Sequence, residues 1–314
     1  MTLDVLVVGE ALIDLYCLDA GVPRRMDEAG TLARFLGGAP ANFTVGCARL
    51  GLQTALVTRV GQDPMGRYLL RLLRDEGVDT ERVRSAVGAK TGMSLVSVHG
   101  GERSFDFYGA PSADTQLDPS DIGERIDARA LHFGSNTLVV DPGLATTKRA
   151  IAMAKRDGVT VSCDLNVRRY RWSSEAVMRE QLDFATRAAD WLKVSDDEIA
   201  FVSKEKDYDA VAKDLLSRGP SLVALTLGKD GARLYTKEEQ RVLPTLAERI
   251  VDTTGAGDAF WAGCVAVFLR AQAINGATLE AALRRGSENA AAVIAQVGAV
   301  TGALKSSPAG ALRP

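Results

Sequence analysis

Short apolar runs that end at a glycine or a polar residue recur along the chain. The first run, residues 3–8, ends at Gly9 and is typical of a strand buried on both faces of a parallel sheet. The other runs of this kind are residues 131–134, 159–163, 191–194 and 222–227. The pattern therefore predicts a sheet of buried, mostly parallel strands.

Amphipathic helices are predicted between these strands. Apolar residues recur at i, i+3, i+4, i+7 and i+8 from Met65 to Leu73, and Gly77 follows as a helix C-cap. Residues 144–157 give a second helical pattern, which is closed by Gly158 and followed at once by the strand 159–163. This alternation predicts an α/β fold with a doubly wound, mostly parallel sheet flanked by helices.

Two regions, 12–37 and 91–108, interrupt this alternation. They contain short alternating segments, such as 94–98 and 104–108, that are typical of hairpin strands outside the main sheet. The sequence has neither an internal repeat nor a low-complexity linker. We therefore expect one domain over residues 1–314, in which these two regions form a small β-sheet lid.

Composition and charge narrow the function classes. The 314 residues are 46% hydrophobic and 25% charged, with a net charge of -2, as in soluble globular proteins. Lys and Arg alternate with Asp and Glu, which argues against a nucleic-acid surface. The chain opens without a signal-peptide pattern, and the apolar run 259–269 is too short to span a bilayer. We expect a cytoplasmic protein with no nucleic-acid or membrane partner, whose four separated cysteines are buried thiols.

The strongest chemical signal is the string DTTGAGD at residues 252–258, which directly precedes the apolar helix 259–269. Gly255 and Gly257 permit close backbone approach, and the amides and dipole of a helix N-terminus favour an anion such as phosphate. Asp258 could accept the proton of an alcohol that attacks phosphorus. The alternative is a tight turn in which Asp258 only caps the helix.

Polar residues also follow the predicted strands. Asp14 lies past the first strand, where the carboxyl ends of parallel strands collect ligands, although a solvated turn residue is an equal alternative. Asn42 could bind hydroxyls or cap a helix. Asp164, Asn166 and Arg168 follow the strand 159–163 and are predicted to alternate toward one side, with a structural Asp164–Arg168 salt bridge as the alternative.

Two motifs give a resemblance to a known family. DTTGAGDAFWAG at 252–263 resembles the C-terminal signature of ribokinase-like carbohydrate kinases, and GGAPAN at 37–42 resembles their N-terminal signature. The strings GEALIDL, GQDPMG, GERSFDFY, DLNVR and LTLGKDGA extend the resemblance over nearly the whole chain. Bacterial fructokinases are the most similar branch. The resemblance implies a ribokinase-like fold and transfer of the γ-phosphoryl group of ATP to a sugar hydroxyl.

The resemblance also implies roles for individual residues. The catalytic group comprises Gly255, Ala256, Gly257 and Asp258. The implied sugar-binding residues are Asp14, Gly37, Gly38, Asn42, Arg103, Tyr108, Asp164, Asn166 and Arg168. The implied nucleotide-binding residues are Lys193, Ser195, Glu198, Thr226, Gly228, Gly231 and Asn289, the last with a surface helix position as the alternative. Glu198 is expected to hold Mg²⁺ through water, and Asp252 and Thr254 to line a monovalent cation site for K⁺.

The sequence departs from the family at two places. Ser195 stands where the family often has Asn, so that only Glu198 carries the magnesium role. Tyr108 is followed by Gly109 where relatives that bind sugar acids place an arginine, although Arg103 or Arg168 could replace it. The sequence thus favours fructose as acceptor, with 2-keto-3-deoxygluconate and riboside kinases as alternatives.

Functions from other classes have less support. A non-catalytic sugar sensor on the same fold is one alternative. A nicotinamide dehydrogenase is disfavoured because no GxGxxG string follows the first strand, and the P-loop string GxxxxGK[ST] is missing as well. A homodimer that pairs through the lids is expected by analogy with the family.

Overall fold

The computed structural model describes residues 2–99, 102–108 and 111–306, except for the side chains at 98, 99, 102 and 103. The strands are β1 (Leu3–Val8), β2 (Leu12–Asp19), β3 (Val22–Pro23), β4 (Thr31–Gly37), β5 (Thr54–Gly61), β6 (Val83–Ala86), β7 (Met93–His99), β8 (Glu102–Tyr108), β9 (Ala128–Gly134), β10 (Thr160–Asp164), β11 (Trp191–Ser195), β12 (Leu222–Thr226), β13 (Ala232–Tyr235) and β14 (Gln240–Leu243). The helices are α1 (Ala39–Arg49), α2 (Pro64–Asp75), α3 (Gly143–Arg156), α4 (Glu175–Ala188), α5 (Ile199–Val202), α6 (Tyr208–Ser217), α7 (Ala256–Phe268) and α8 (Gly276–Ile294).

The large sheet has the order β14-β13-β12-β11-β10-β9-β1-β5-β6. It is parallel from β6 to β12, and β13 and β14 add an antiparallel edge. From β1 the chain reaches β5 and β6 on one side, whereas β9 to β12 build outward on the other. The order therefore reverses between β1 and β9, and open α/β sheets bind ligands at the carboxyl ends of the strands that flank such a reversal.

Helices cover both faces of this sheet. The side chains of β1 alternate, so that Val5 and Val7 pack with α1, α2, α7 and α8, whereas Leu6 and Val8 pack with α3, α4 and α6. The two apolar layers contain all three tryptophans and three of the four cysteines. All four cysteines are free and buried, which confirms the prediction. The predicted doubly wound, mostly parallel sheet is confirmed as well.

The two interrupting regions come together in a second sheet. Its central strand β2 pairs antiparallel with β4 on one side, and parallel with β7 and antiparallel with β3 on the other. β8 completes the sheet as an antiparallel neighbour of β7. The hairpin strands predicted at 94–98 and 104–108 therefore exist, each slightly longer than predicted.

Several predicted boundaries differ from the structure. Helix α2 ends at Asp75, and Gly77, with a φ of 80°, lies just beyond the C-cap residue Glu76. The apolar run 259–269 belongs to α7, which begins three residues earlier, so that the glycine string overlaps the helix start. None of the helices in the described part of the chain is long and apolar enough to cross a membrane.

Candidate active site

A cleft of about 970 Å³ opens at the carboxyl ends of the parallel strands. It is lined by residues that follow β1, β10, β11 and β12, by the first turns of α1 and α7, and by Phe105 and Phe107 of the small sheet. The cleft lies where the strand order predicts a ligand. Most of the residues predicted for function lie along this cleft.

Asp258 lies in the first turn of α7, immediately after the glycine string. Gly255, the N-cap, has a φ of 78°, and a Cβ built on it would lie 2.4 Å from the carbonyl oxygen of Ala299. Only glycine fits both the left-handed conformation and this contact. The amide of Ala256 donates to Thr253 O at 3.3 Å, so one predicted phosphate donor is partly engaged within the turn.

Asn42 and Asp258 join the two signatures of the chain. Asn42 is buried in α1 and its Nδ2 donates to Asp258 Oδ2 at 2.9 Å. Burial and then the charge of Asp164 raise the pKa of Asp258 to about 7, although this hydrogen bond and the charge of Lys193 oppose the shift. A carboxylate with a pKa near neutrality is suited to accept a proton. The helix-cap alternative for Asn42 is wrong, because Gly38 is the N-cap of α1.

Lys193 and Asp164 form a buried ion pair on neighbouring strands. Lys193 Nζ lies 2.9 Å from both carboxylate oxygens of Asp164. Burial lowers the pKa of Lys193, but Asp164 and Glu198 raise it above its ordinary value, so the ammonium stays charged. A Cβ at Gly257 would lie 3.0 Å from Nζ, so this glycine lets the lysine approach the start of α7. The alternative of a structural Asp164–Arg168 salt bridge is wrong, because Asp164 pairs with Lys193.

Glu198 organises the loop after β11. Its Oε2 accepts the amide of Ser195 at 2.8 Å, and its Oε1 accepts the amide of Val167 at 2.5 Å. Burial raises the pKa of Glu198, whereas Lys193 opposes the rise. Two backbone amides therefore hold the carboxylate in place. In the described residues no group of three or more acidic, His or Cys side chains could hold a metal.

Asp14 lies deep in the cleft on the small sheet. Burial, followed by the charges of Asp252 and Asp258, raises the pKa of its carboxyl to about 8. Gly37 on β4 pairs with Leu12, and a Cβ there would lie 2.5 Å from the Asp14 carboxyl group, so this glycine leaves room for the Asp14 side chain. Asp14 is therefore a buried acid, and the solvated-turn alternative is wrong.

Asp252 and Thr254 lie beneath the start of α7. The buried Asp252 carboxylate accepts the amides of Thr254 and Gly298, each at 2.8 Å. The Thr254 hydroxyl is buried without a hydrogen-bond partner in the part of the chain that the structure describes. This arrangement provides oxygen atoms, which are the ligands that hard cations prefer.

Asn166 and Arg168 reach the cleft by a different route from the one predicted. β10 ends at Asp164, and Asn166 has a left-handed φ of 43°, so the predicted strand alternation is wrong. The turn at Asn166 still brings Asn166 and Arg168 to the cleft wall together with Asp164. The charge of Arg168 lowers the pKa of both Asp14 and Asp258, which places its guanidinium near them.

Two predicted contact residues lie elsewhere. Tyr108 alternates with the cleft-lining Phe105 and Phe107, so it faces the other side of the sheet and is 56% exposed. The amide of Asn289 is fully buried, donates to Ala259 O at 2.8 Å and accepts from Leu304 N at 2.9 Å, so it ties α8 to α7 instead of contacting the nucleotide or solvent. The side chain of Arg103 lies outside the described residues.

The remaining nucleotide-site predictions fall on the cleft. Thr226 ends β12, and Gly228 and Gly231 form the turn into β13 with φ values of 53° and 90°. Glu10 and Asn136 are among the cleft residues that sequence analysis missed. Glu10 follows β1 and Asn136 follows β9, and a polar residue directly after a strand is a sequence signal for ligand binding. The sequence did not show that β1 and β9 are neighbours in the sheet.

Comparison with known proteins agrees with this geometry. The model of the pfkB family carbohydrate kinases matches residues 2–306. The chain belongs to this family of carbohydrate kinases. A fructokinase from Klebsiella pneumoniae is 37% identical over 262 residues, which cover 83% of this kinase and 82% of the relative. Fructokinase-1 from Oryza sativa is also 37% identical, over 80% of this chain and 79% of its own.

Solved structures give the same result for the fold. A Vibrio cholerae fructokinase with bound fructose, ADP and potassium superimposes on the kinase with a TM-score of 0.86, at 33% identity over 96% of this chain and 95% of its own. An aminoimidazole riboside kinase from Salmonella enterica, complexed with its riboside and an ATP analogue, gives a TM-score of 0.84 at 28% identity, over 95% and 96% of the two chains. The protein is therefore a sugar kinase, and its fold is the one that its sequence predicted.

Proposed function

We propose that this carbohydrate kinase transfers the γ-phosphoryl group of ATP to a hydroxyl of fructose. The Asn42–Asp258 hydrogen bond carries the proposal, because it orients a carboxylate of near-neutral pKa at the start of α7, inside the cleft. The Klebsiella and Oryza relatives are fructokinases, and the Vibrio structure contains fructose, which favours this acceptor.

Asp258 is the proposed general base. Its carboxylate takes the proton of the primary sugar hydroxyl while that oxygen forms a bond to the γ-phosphorus of ATP. The bond from the γ-phosphorus to the bridging oxygen breaks, and ADP leaves with the electron pair. Asn42 keeps one carboxylate oxygen hydrogen-bonded, so the other oxygen is available to the hydroxyl.

The start of α7 is the proposed anion cradle. Gly255, Ala256 and Gly257 place backbone at the cleft where the helix dipole is positive, which stabilises charge that develops on the transferred phosphoryl group. The positive Lys193, held beside Gly257 by Asp164, adds a fixed charge at the same place. Both groups are in position before the substrates bind.

The sugar is proposed to lie between the large sheet and the small one. Asp14, Gly38 and Asn42 approach it from the small sheet and the start of α1, and Gly37 packs against Asp14. Residues 164, 166 and 168 approach it from the end of β10 and the loop that follows. With a pKa of about 8, Asp14 is largely protonated at neutral pH and can donate to a sugar oxygen. We propose Phe107 in place of Tyr108 as the aromatic contact from β8.

The nucleotide is proposed to occupy the part of the cleft beyond α7. Ser195, Thr226, Gly228 and Gly231 line this part, next to Lys193. Magnesium, when bound, would neutralise charge on the β- and γ-phosphates. Glu198 is the proposed holder of its water shell, because the carboxylate is fixed by two backbone amides.

Asp252 and Thr254 are proposed to line a potassium site. The buried Thr254 hydroxyl and the Asp252 carboxylate lie next to the anion cradle, where a cation would favour the phosphate charge. Potassium is present in the Vibrio fructokinase structure. A titration with KCl at constant ionic strength should raise turnover, and a flat response would remove this part of the proposal.

The small sheet is the proposed lid of a single domain over residues 1–314. Phe105 and Phe107 line the cleft but stay 38% and 43% exposed, so apolar surface remains for contact with a closed site. Closure would exclude water from the transferring group. We further propose a homodimer through the exposed Leu32 of this sheet and the exposed Met26 of the turn between β3 and β4, which light scattering of the purified protein would test. Four free cysteines fit a reducing, cytoplasmic setting.

The test is ADP release with ATP and magnesium against fructose, 2-keto-3-deoxygluconate, ribose and nucleosides. We expect turnover on fructose and at least about a 100-fold loss of kcat in Asp258→Asn, which keeps the shape but not the basicity of the residue. Exposed Asp75→Asn on α2 is the matched control and should retain full turnover. Fructose binding with no ADP release would instead indicate a sugar sensor, and nucleoside turnover a riboside kinase.

A further inference from the structure

Glu10 and Asn136 lie at the point where the strand order of the large sheet reverses. Glu10 follows the end of β1 and Asn136 follows the end of β9, and these two parallel strands are neighbours. Both residues line the cleft that contains Asp14, Asn42 and Asp258. The proposed mechanism uses neither of them.

The two side chains contact each other and leave two acceptors unsatisfied. Asn136 Nδ2 donates to Glu10 Oε1 at 3.0 Å. A carboxylate only accepts, so this bond fixes the orientation of the amide. Glu10 Oε2 and Asn136 Oδ1 are buried and have no hydrogen-bond partner among the described residues. Glu10 is 5% exposed, so its free oxygen is a buried charged atom at the wall of the cleft.

The backbone holds Glu10 in this position. Gly38 has a φ of 93°, and a Cβ built on it would lie 2.6 Å from the carbonyl oxygen of Glu10 and 3.2 Å from its Cγ. The glycine before α1 therefore packs directly on Glu10. Asn136 restrains the other end of the side chain. A side chain fixed at both ends loses little further freedom when it binds a ligand.

The unsatisfied atoms define the chemistry of the ligand. Both are acceptors, so a partner must supply hydrogen-bond donors, and a buried acceptor without a donor is costly. A carboxylate has no donor, and its charge would meet that of Glu10. The nearby Asp114 is also buried with an unpartnered Oδ1, and only Arg171 supplies an opposing charge among the groups that shift its pKa. Glu10 and Asp114 therefore repel a carboxylate beside them, although Arg168 and Arg171 line the same cleft.

We propose that Glu10 and Asn136 are specificity-determining residues that accept hydrogen bonds from hydroxyls of a neutral sugar, on the part of the acceptor distant from the reacting group. The inference rests on the proposed sugar kinase function and deepens it. It selects neutral polyhydroxy sugars and disfavours sugar acids such as 2-keto-3-deoxygluconate, which carries a carboxylate and lacks one hydroxyl.

The test combines Glu10→Gln and Asn136→Ala with a set of monodeoxyfructoses. Hydrogen bonds to charged groups predict that Glu10→Gln raises KM for fructose by about 10- to 100-fold, with kcat within about threefold. The wild type should lose a similar factor on the analogue that lacks the contacted hydroxyl. On that analogue, Glu10→Gln should raise KM by no more than about threefold relative to the wild type, because the contact is already absent.

A second readout uses the sugar acid. We expect wild-type kcat/KM for 2-keto-3-deoxygluconate to be at least about 100-fold below that for fructose, and Glu10→Gln to narrow this ratio. Exposed Glu280→Gln on α8 makes the same change of net charge away from the cleft and should alter neither value. Calorimetry of fructose binding without nucleotide, with thermal unfolding of each variant, separates lost contact from lost folding.

Three results would overturn the inference. One is a Glu10→Gln loss of equal size on every deoxy analogue, another is a fall in kcat with unchanged KM, and the third is a sugar acid used as well as fructose by the wild type. A wild-type protein that releases no ADP with any sugar would instead contradict the proposed function, so the two failures are distinguishable.

Discussion

Burial and two neighbouring residues adjust Asp258 to its proposed role. Burial and the charge of Asp164 raise its pKa to about 7, while the hydrogen bond from Asn42 opposes the rise. Asn42 is therefore a positioning residue for the base as well as a candidate sugar contact. Its effect on the pKa of Asp258 has a definite direction, which the pH dependence of kcat/KM can test.

Asn42→Leu should shift the acid limb of the kcat/KM profile to higher pH. Loss of the donated hydrogen bond destabilises the carboxylate form, so the pKa of Asp258 rises above about 7 and the base is protonated over a wider range. The measurement is kcat/KM for fructose from pH 5 to 9. Thr44→Val, which removes a hydrogen bond to Pro40 O in the same helix, is the control and should leave the limb in place. An unmoved limb in Asn42→Leu would contradict this role.

Asp14 links the site to stability. Its pKa is about 8 in the folded chain against 3.8 ordinarily, so the folded state binds a proton more tightly. The stability from this group is full below pH 3.8 and is lost as pH rises through about 8. Asp14→Asn, which mimics the protonated acid, should therefore gain at least about 1 kcal/mol relative to wild type between pH 5 and pH 8.

Urea unfolding at the two pH values measures this gain. Exposed Asp75→Asn is the control and should show the same difference from wild type at both. A pH-independent effect of Asp14→Asn would show that ionisation of Asp14 is not linked to folding. The turnover of Asp14→Asn on fructose should also be lower than that of the wild type, because Asp14 is a proposed sugar contact.

The two residues that carry the proposed mechanism were found by sequence analysis for the same reason. Asp258 and Asn42 lie beside glycines at helix starts, where local chemistry shows in the sequence. Asn289 was mispredicted because its partners, Ala259 O and Leu304 N, are distant in sequence. Tyr108 was assigned to the wrong face of β8 because strand alternation fixes which residues share a face, not which face meets the cleft.

At the scale of the element, α7 shows how much depends on its start. Gly255 combines a left-handed φ with a close contact to Ala299. Gly77 also has a positive φ, 80° against 78°, but a Cβ there would have nothing within 4 Å. Alanine substitutions at these two positions therefore separate the free-energy cost of the left-handed backbone from the cost of steric crowding.

Gly77→Ala should lower the free energy of unfolding by about 1–2 kcal/mol, the cost of a left-handed alanine. Gly255→Ala should lower it by a further 1–3 kcal/mol, roughly, because the new Cβ overlaps the Ala299 carbonyl. Urea unfolding measures both, and ADP release should fall only in Gly255→Ala. Equal losses in the two variants would show that crowding at the start of α7 has no effect.

Periodicity predicted the central elements and missed the peripheral ones. The sequences of the central strands β10, β11 and β12 are apolar runs, because these strands are buried on both faces. β14 has alternating exposed residues at the sheet edge, and its four residues carry too little signal.

At the scale of the whole molecule, topology completes the site. Sequence predicted that ligand-binding residues follow strands, but not that β1 and β9 are adjacent, and this adjacency joins Glu10 to Asn136. The order of strands depends on pairings between distant segments, which periodicity does not encode. The small sheet was predicted as hairpins for the same reason, without its parallel β2–β7 pairing.

The Asn42–Asp258 hydrogen bond spans 216 residues of sequence. During synthesis, the ribosome must release almost the entire chain before this bond can form. A nascent kinase can therefore acquire its sheet and much of its nucleotide wall while it still lacks an oriented base. The hydrogen bond that orients the proposed base can therefore form only when synthesis is nearly complete.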